Sequence, residues 1–236
     1  MTPEESTLIA VNSACPVCRG EYAHLLVEVN QQRYYRCSGC LATFIDPAQR
    51  PSANDERAEY DLHQNHVDDA GYRRFLEPAV NAAVELLAPG ARILDYGCGP
   101  GPALAAMLQE RGYQVSLFDP IYRPDRSVFS QRFDAITCTE VVEHFHEPAA
   151  EFSKLNAMLN PGGVLIIMTR FQTDDKRFAN WHYRRDPTHV VFYRAETFQI
   201  LGRGFGWEVD TRPPNLAVIR KPLAASPGAS VQQTSG

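Results

Sequence analysis

An apolar strand that runs straight into alternating glycines and then into a helix leaves few architectures open. The segment Arg92-Ile93-Leu94-Asp95-Tyr96-Gly97-Cys98-Gly99-Pro100-Gly101 has this form, and the stretch from Pro102 to Arg111 carries helical periodicity after it. Such a strand–turn–helix unit repeats into a parallel sheet with right-handed crossovers, an α/β fold. Glycine reaches backbone angles that other residues avoid and lets a ligand approach the main chain. The helix start adds N–H groups with no partner inside the helix. In a sheet of this kind the binding crevice lies at the carboxyl ends of the strands.

The rest of the chain repeats the alternation. Phe75, Leu76, Ala79, Val80, Ala83, Leu86 and Leu87 recur at helical spacing between Gly71 and Ala88, and Pro89-Gly90 stops that helix. Strands are predicted over 114–118, 133–139 and 164–169, with helices over 149–159 and 195–203. Asn160-Pro161-Gly162-Gly163 reads as a turn. Residues 171–192 read as an aromatic, charged insertion, and 207–211 with 216–220 as a terminal strand pair.

Length and charge bound the function. The 236 residues hold one sizeable domain and a small appendage. A formal net charge of -5 leans away from a dedicated nucleic-acid binder and towards a small-molecule partner. No apolar run approaches membrane-spanning length. Met1 to Ala14 carries Glu4 and Glu5 and lacks the basic start and apolar stretch of a secretory leader. The expectation is a cytoplasmic protein, with its cysteines kept as thiols. The division expected is a loose leader over 1–14, a β-rich cysteine unit over 15–48, a polar linker over 49–59, the main domain over 60–222 and a disordered tail over 223–236.

Cys15-Pro16-Val17-Cys18 and Cys37-Ser38-Gly39-Cys40 are two Cys-x-x-Cys pairs with residues 19–36 between them. Two such pairs match a tetrahedral four-thiolate zinc site, so 15–48 reads as a zinc ribbon with Cys15, Cys18, Cys37 and Cys40 as ligands. A closed sulfur set leaves no open coordination position, which makes the ion structural. A redox pair or packing cysteines are the alternatives. Cys98 and Cys138 read as packing cysteines.

Asp119 ends the strand after the glycine loop, where an acid suits the two hydroxyls of a ribose. The loop is Gly-x-Gly-x-Gly and lacks the Gly-x-Gly-x-x-Gly spacing that cradles a dinucleotide pyrophosphate, which disfavours a nicotinamide oxidoreductase. With these residues in view, Leu94 to Gly101 resembles the first motif of class I S-adenosylmethionine-dependent methyltransferases. Phe118-Asp119 resembles their second-strand acid. Phe133 to His144 resembles the fourth-strand motif of small-molecule members, including ubiquinone-pathway O-methyltransferases. The resemblance spans about residues 70–220. It implies a Rossmann-like sheet, mostly parallel with an antiparallel last strand.

The resemblance also implies a binding set for S-adenosylmethionine. Gly97, Gly99 and Gly101 would line its amino-acid part, with Cys98 in the same loop. Asp95 would hold the loop or the methionine amino group. Asp119 would take the ribose, with Pro120 and Ile121 beside the adenine, and Thr139 and Glu140 would close the site from the fourth strand. One departure stands out. Only residues 120–132 separate Asp119 from Phe133, so the third strand of the family is expected to be missing, with Asp125 the nearest acid.

Methyl transfer needs alignment, exclusion of water and removal of a proton. His144, after the fourth strand, and His189, in Asp186-Pro187-Thr188-His189, are the candidate catalytic groups, and His182 is a weaker one. Each could instead serve only local structure. His63, Asn65 and Tyr72 are candidates for a lid. Arg170, Lys176, Arg177, Arg184, Arg185 and Arg194 interleave with Trp181, Tyr183, Phe192 and Tyr193. That stretch could grip an anionic or aromatic acceptor, touch RNA, or form a solvated loop. The expected function is transfer of a methyl group to O, N or C of a small molecule. The rivals are an RNA or protein methyltransferase docking through the zinc ribbon, and a non-catalytic cofactor-binding module.

Overall fold

The computed structural model describes residues 14–62 and 66–223. The expected leader, the tail and the lid candidates His63 and Asn65 lie essentially outside that range. In chain order, β1 is Ala23–Val29, β2 Gln32–Cys37 and β3 Thr43–Ile45. Helices α1, Ala53–Tyr60, and α2, Ala70–Leu86, follow. Then come β4, Arg92–Tyr96, α3, Ala103–Glu110, β5, Gln114–Phe118, and β6, Phe133–Thr139. The chain continues with α4, Pro148–Met158, β7, Leu159–Met168, α5, Asp175–Phe178, and β8, Val191–Phe192. It closes with α6, Ala195–Phe205, β9, Glu208–Arg212, and β10, Leu216–Arg220.

The main sheet has the order β5-β4-β6-β7-β10-β9. β5, β4, β6 and β7 are parallel, and β10 runs antiparallel to both of its neighbours. The period of two in the strands separates two cores. Ile93, Ala135, Val164, Ile166, Met168 and Val218 face α2 and α3 on one side. Leu94, Ile136, Leu165, Ile167 and Ile219 face the other side, where Phe152 of α4 and Phe198 of α6 cover them. Between β5 and β6 stands a single 3-10 turn, Arg126–Ser130, where the family's third strand would be. The expected turn at 160–163 loops out of β7 as an irregularity, because Phe133 pairs with Leu159 and Ala135 with Val164. Among the described residues no helix is long and apolar enough to cross a membrane.

Two expectations change. The polar stretch 49–59 is mostly helix: α1 starts at a capping box, with the Ser52 side chain accepting from the Asp55 amide and Asp55 accepting from the Ser52 amide. Ser, Asn and Asp signal a loop and a helix cap alike, and α1 buries no residue, so no apolar stripe betrays it. The cysteine unit is not a free-standing ribbon either. Its strands form the sheet β1-β2-β3-β8, and β8 comes from the insertion after β7. Its buried residues join the same core as α4 and α6.

Polar contacts tie the two parts further. The Pro16 carbonyl accepts the Ala149 amide at 3.1 Å, satisfying an N–H at the start of α4 that has no helical partner. Arg36, 4% exposed, donates to Asp175 and to the Leu41 carbonyl. Asp175 also accepts from Arg194 at 2.5 Å and from Gln172 at 3.0 Å. Removing one member of a buried pair leaves the other charge uncompensated, whereas replacing both with apolar groups is often neutral. Because Asp175 is itself 41% exposed, Asp175→Ala is expected to lower stability by roughly 2 kcal/mol in urea unfolding. Adding Arg36→Met should recover most of that loss.

Candidate active site

The glycine loop sits at the carboxyl end of β4. Gly97 has φ +80° and Gly99 φ +63°, the left-handed region that β-carbons disfavour. At Gly97 the neighbour adds a second constraint: a Cβ there would lie 2.4 Å from Val141 Cγ2. The missing side chain lets the turn after β6 pack directly on the loop. A Cβ at Gly99 would meet nothing within 4 Å, so the loop keeps open space above that residue. The Gly101 carbonyl accepts the Ala103 amide at 2.8 Å in a tight turn that leads into α3.

Asp119, 8% exposed, turns its carboxylate onto this loop. Oδ2 accepts from the Gly99 amide at 3.1 Å, and Oδ1 accepts from Ile121 and Tyr122 amides at 2.8 and 2.9 Å. A carboxylate has about four acceptor positions, so one remains on Oδ2. Pro120 beside it is exposed. Asp95, at the end of β4 and 2% exposed, accepts from Thr137 Oγ1 at 3.0 Å. Burial pushes its carboxyl up to about 7. The half-buried Cys98 thiol reaches the Gly99 carbonyl at 3.6 Å, and burial pushes it up to about 12.

On the other wall, Thr139 ends β6 and Glu140 turns the chain at φ +53°. Burial pushes the Glu140 carboxyl up to about 7. Tyr72 of α2 stands where Asp95 and Glu140 both act on it, and burial lifts its phenol to about 12. After Val141 comes a fully buried carboxylate, Glu143, whose Oε1 accepts from Tyr183 Oη at 2.5 Å. His144 and His189 face each other with ring centroids 4.7 Å apart. His144 Nδ1 lies 3.0 Å from the Thr188 carbonyl, and His189 Nδ1 2.6 Å from the Tyr183 carbonyl.

The helix expected to be a linker crosses this region. Tyr60 of α1 meets His144 edge-on at 5.3 Å, Glu56 pairs with His146 at 2.8 Å, and Asp61 accepts from Tyr122 Oη at 2.7 Å. His182 is exposed, while its neighbour Tyr183 is buried. With Lys176, Arg177, Trp181 and Arg185 it lines an open groove of about 400 Å³ on the insertion. The sequence reading gave no role to Thr137, Val141 or Glu143, and it named Tyr183 only as one aromatic of the insertion without its acid partner. An acid and a tyrosine in an otherwise apolar setting are the signal that could have found the last two.

The four cysteines also come together. One sulfur from each of Cys15, Cys18, Cys37 and Cys40 lies within 4.8 Å of the others. Cys15 and Cys40 sulfurs are 3.7 Å apart, Cys18 and Cys37 sulfurs 3.6 Å, and all are free thiols. Zinc–sulfur bonds of about 2.3 Å set a tetrahedral edge of about 3.8 Å, so these separations fit such an ion.

A mostly parallel sheet with a reversed last strand, a glycine turn on its first strand and an acid on its second define a Rossmann-like methyltransferase domain. The profile of the family described as "Methyltransferase domain" matches residues 37–212. The chain belongs to this family, within the S-adenosylmethionine-dependent class that the glycine loop resembles. A ubiquinone biosynthesis O-methyltransferase of Xanthomonas campestris pv. campestris is 31% identical over 115 residues, covering 39% of this chain and 48% of that protein. Its namesake in Histophilus somni is 26% identical over 117 residues, covering 38% and 48%. The chain thus spans about half the length of the curated relatives it matches. An O-methyltransferase family protein from Burkholderia thailandensis shares the fold, with TM-score 0.50 at 16% identity over 74% of this chain and 62% of that one.

The Gly97–Val141 contact makes a sharp prediction. Gly97→Ala combines a disfavoured φ with a collision, and should cost roughly 2–4 kcal/mol in thermal or urea unfolding. Val141→Ala in the same chain should return only the collision's share, leaving about 1–2 kcal/mol of backbone strain.

Proposed function

We propose that this protein transfers the methyl group of S-adenosylmethionine to an oxygen of a small molecule. The observation that carries the cofactor's place is the Asp119 carboxylate bonded to the Gly99 amide beneath open space. Asp119 takes a ribose hydroxyl on its remaining acceptor position. Gly97, Cys98, Gly99 and Gly101 line the methionine part, and Asp95 receives its ammonium. Pro120 flanks the adenine, while Thr139 and Glu140 close the wall opposite. When bound, the cofactor supplies a methyl carbon already activated by its sulfonium. The protein aligns the acceptor with that carbon and excludes water.

His144 and His189 are assigned to the acceptor, orienting it and promoting loss of its proton. The O–CH3 bond forms as the S–CH3 bond breaks, and the acceptor proton leaves to solvent. The relatives named ubiquinone biosynthesis O-methyltransferases support oxygen as the methylated atom. Charge supports a small acceptor over nucleic acid. Arg33 pairs with Asp46, and Arg36 and Arg194 with Asp175, so acids interrupt any basic stripe between the cysteine unit and the insertion. Cys15, Cys18, Cys37 and Cys40 are assigned to one structural zinc ion that braces the sheet shared with β8. Residues 15–48 serve the main domain as part of its core.

Calorimetric titration tests the cofactor. One equivalent of S-adenosylmethionine should bind, and NADH should not; binding of NADH alone would end the proposal. Asp119→Ala should weaken binding about 10–100-fold, the value of a hydrogen bond to a charged group. The free Asp95 carboxyl sits at about 7, and an ammonium beside it favours the ionised form. Binding below that pH therefore releases a proton, so affinity should rise from pH 6 and level off above 7. Asp95→Asn should bind more weakly and show a smaller rise over the same range, Glu140 supplying what remains. Labelled cofactor with a host metabolite extract, with and without RNase, should place the label in an RNase-resistant small molecule.

Metal analysis tests the brace. The purified chain should carry zinc, and Cys37→Ser should lose it together with several degrees of Tm. Unchanged stoichiometric zinc in that variant would remove the ligand set.

A further inference from the structure

The insertion after β7 carries an open groove of about 400 Å³, lined by Lys176, Arg177, Asn180, Trp181, His182 and Arg185. Its volume falls in the range of small-molecule sites, about 300–1,000 Å³. None of the lining side chains is an acid. The insertion has three acids, Asp174, Asp175 and Asp186. Asp175 accepts from Arg36, Arg194 and Gln172. Asp186 accepts from the Thr188 amide and hydroxyl, with His189 Nε2 at 3.6 Å. Only Asp174 meets a cation of the groove, Arg177 Nε at 3.4 Å. Among the described residues no acid pairs with Lys176 or Arg185.

Three cations against one acid leave two positive charges on the groove. A phosphate ester carries about −1.5 to −2 charges at pH 7 and matches them, whereas one carboxylate leaves a charge unopposed. Arginine forks also suit phosphate oxygens in pairs. Arg185 Nη2 donates to the Asn180 carbonyl at 3.5 Å, which uses one of its five donors. Trp181 adds a second feature. It is half-buried, with its ring centroid 5.2 Å from Tyr183, 5.9 Å from Phe192 and 6.3 Å from Phe178, and its remaining surface lines the groove. An indole wedged in this way is a fixed platform on which a flat ring stacks. Tyr183 packs in turn on His189 at 4.2 Å, so two rings separate the groove from the histidine pair.

We propose that this groove binds the phosphate ester of a flat-ringed small molecule, and that this molecule is the methyl acceptor. Lys176, Arg177 and Arg185 hold the phosphate, and Trp181 lies against the ring. Binding stands on the groove alone; that the bound molecule is the acceptor rests on the proposed function. Single-stranded RNA offers the same two groups, but it needs a longer cationic track. Asp46 and Asp175 interrupt such a track between the insertion and the cysteine unit.

Calorimetric titration of the full chain with uridine 5′-monophosphate and with phenyl phosphate tests the groove, with S-adenosylhomocysteine present to fill the cofactor crevice. At least one should bind about tenfold tighter than uridine or inorganic phosphate, and should quench the fluorescence of Trp181, since Trp207 is buried. Lys176→Gln with Arg185→Gln should weaken that binding about tenfold. Both side chains are exposed, so the fold should stand, and circular dichroism checks it. Neither phosphate ester binding tighter than uridine or inorganic phosphate overturns the groove, as does unchanged affinity in the folded double variant. A single RNA strand of about eight nucleotides binding about a hundredfold tighter than the monophosphate would replace the small molecule with RNA. Phosphatase treatment of the host metabolite extract, with the phosphatase then removed, should abolish methyl labelling; retained label overturns the acceptor assignment. Phosphate-ester binding without S-adenosylmethionine binding refutes the proposed function alone, and cofactor binding without phosphate-ester binding refutes the groove alone.

Discussion

The close approach of Val141 to Gly97 is the constraint on which the site's geometry depends. It needs a residue with no side chain and a positive φ at one position, and glycine alone meets both demands. That contact locks the end of β4 to the turn after β6. Everything polar around the crevice is then placed relative to it. Asp95 and Asp119 lie on one flank, reached through the loop. Glu140, Glu143 and His144 lie on the other, reached through the turn. Interiors pack too densely to absorb a displaced methyl group without moving neighbours, so the two flanks keep their spacing as a unit.

Much of the framework was legible from residue patterns. β4 and β6 fall where the apolar runs put them, because a buried parallel strand leaves a largely apolar signature, and β5, at the sheet edge, shows through its short Val115–Phe118 run. The shortness of residues 120–132 foretold the missing strand, since no helix and strand fit in it. Other parts could not be read. β8 is two residues long, and its pairing with β3 is a contact across most of the chain that no local pattern encodes. α1 is polar all round and rests on polar neighbours, so periodicity is silent there. At the site, the glycines and Asp119 were visible from spacing. Glu143 and Tyr183 were not, because their meeting depends on how the insertion folds back over the turn after β6.

The cysteine unit shows how a small element survives without a core of its own. Few of its residues could bury enough surface alone. Instead β3 takes β8 as its neighbour, and Tyr34 packs edge-on against Phe178 and Phe192 of the insertion. Arg184, 6% exposed, lies over the same Tyr34 ring at 5.6 Å. The segment that carries His189 is therefore propped from beneath by the cysteine unit. Damage at the thiols would reach the insertion, far along the sequence but paired into the same small sheet.

Helix α1 has a consequence of a different kind. It lies against the turn after β6 and the loop after β5, yet it contributes no side chain to either core. It is fastened at Glu56, Tyr60 and Asp61, through one ion pair, one ring edge and one hydroxyl. Exposed polar fastenings of this sort answer to ionic strength, whereas the sheet beneath answers to temperature and denaturant. The seating of this helix and the endurance of the sheet are thus governed by separate forces, and natural variation can retune the first while sparing the second.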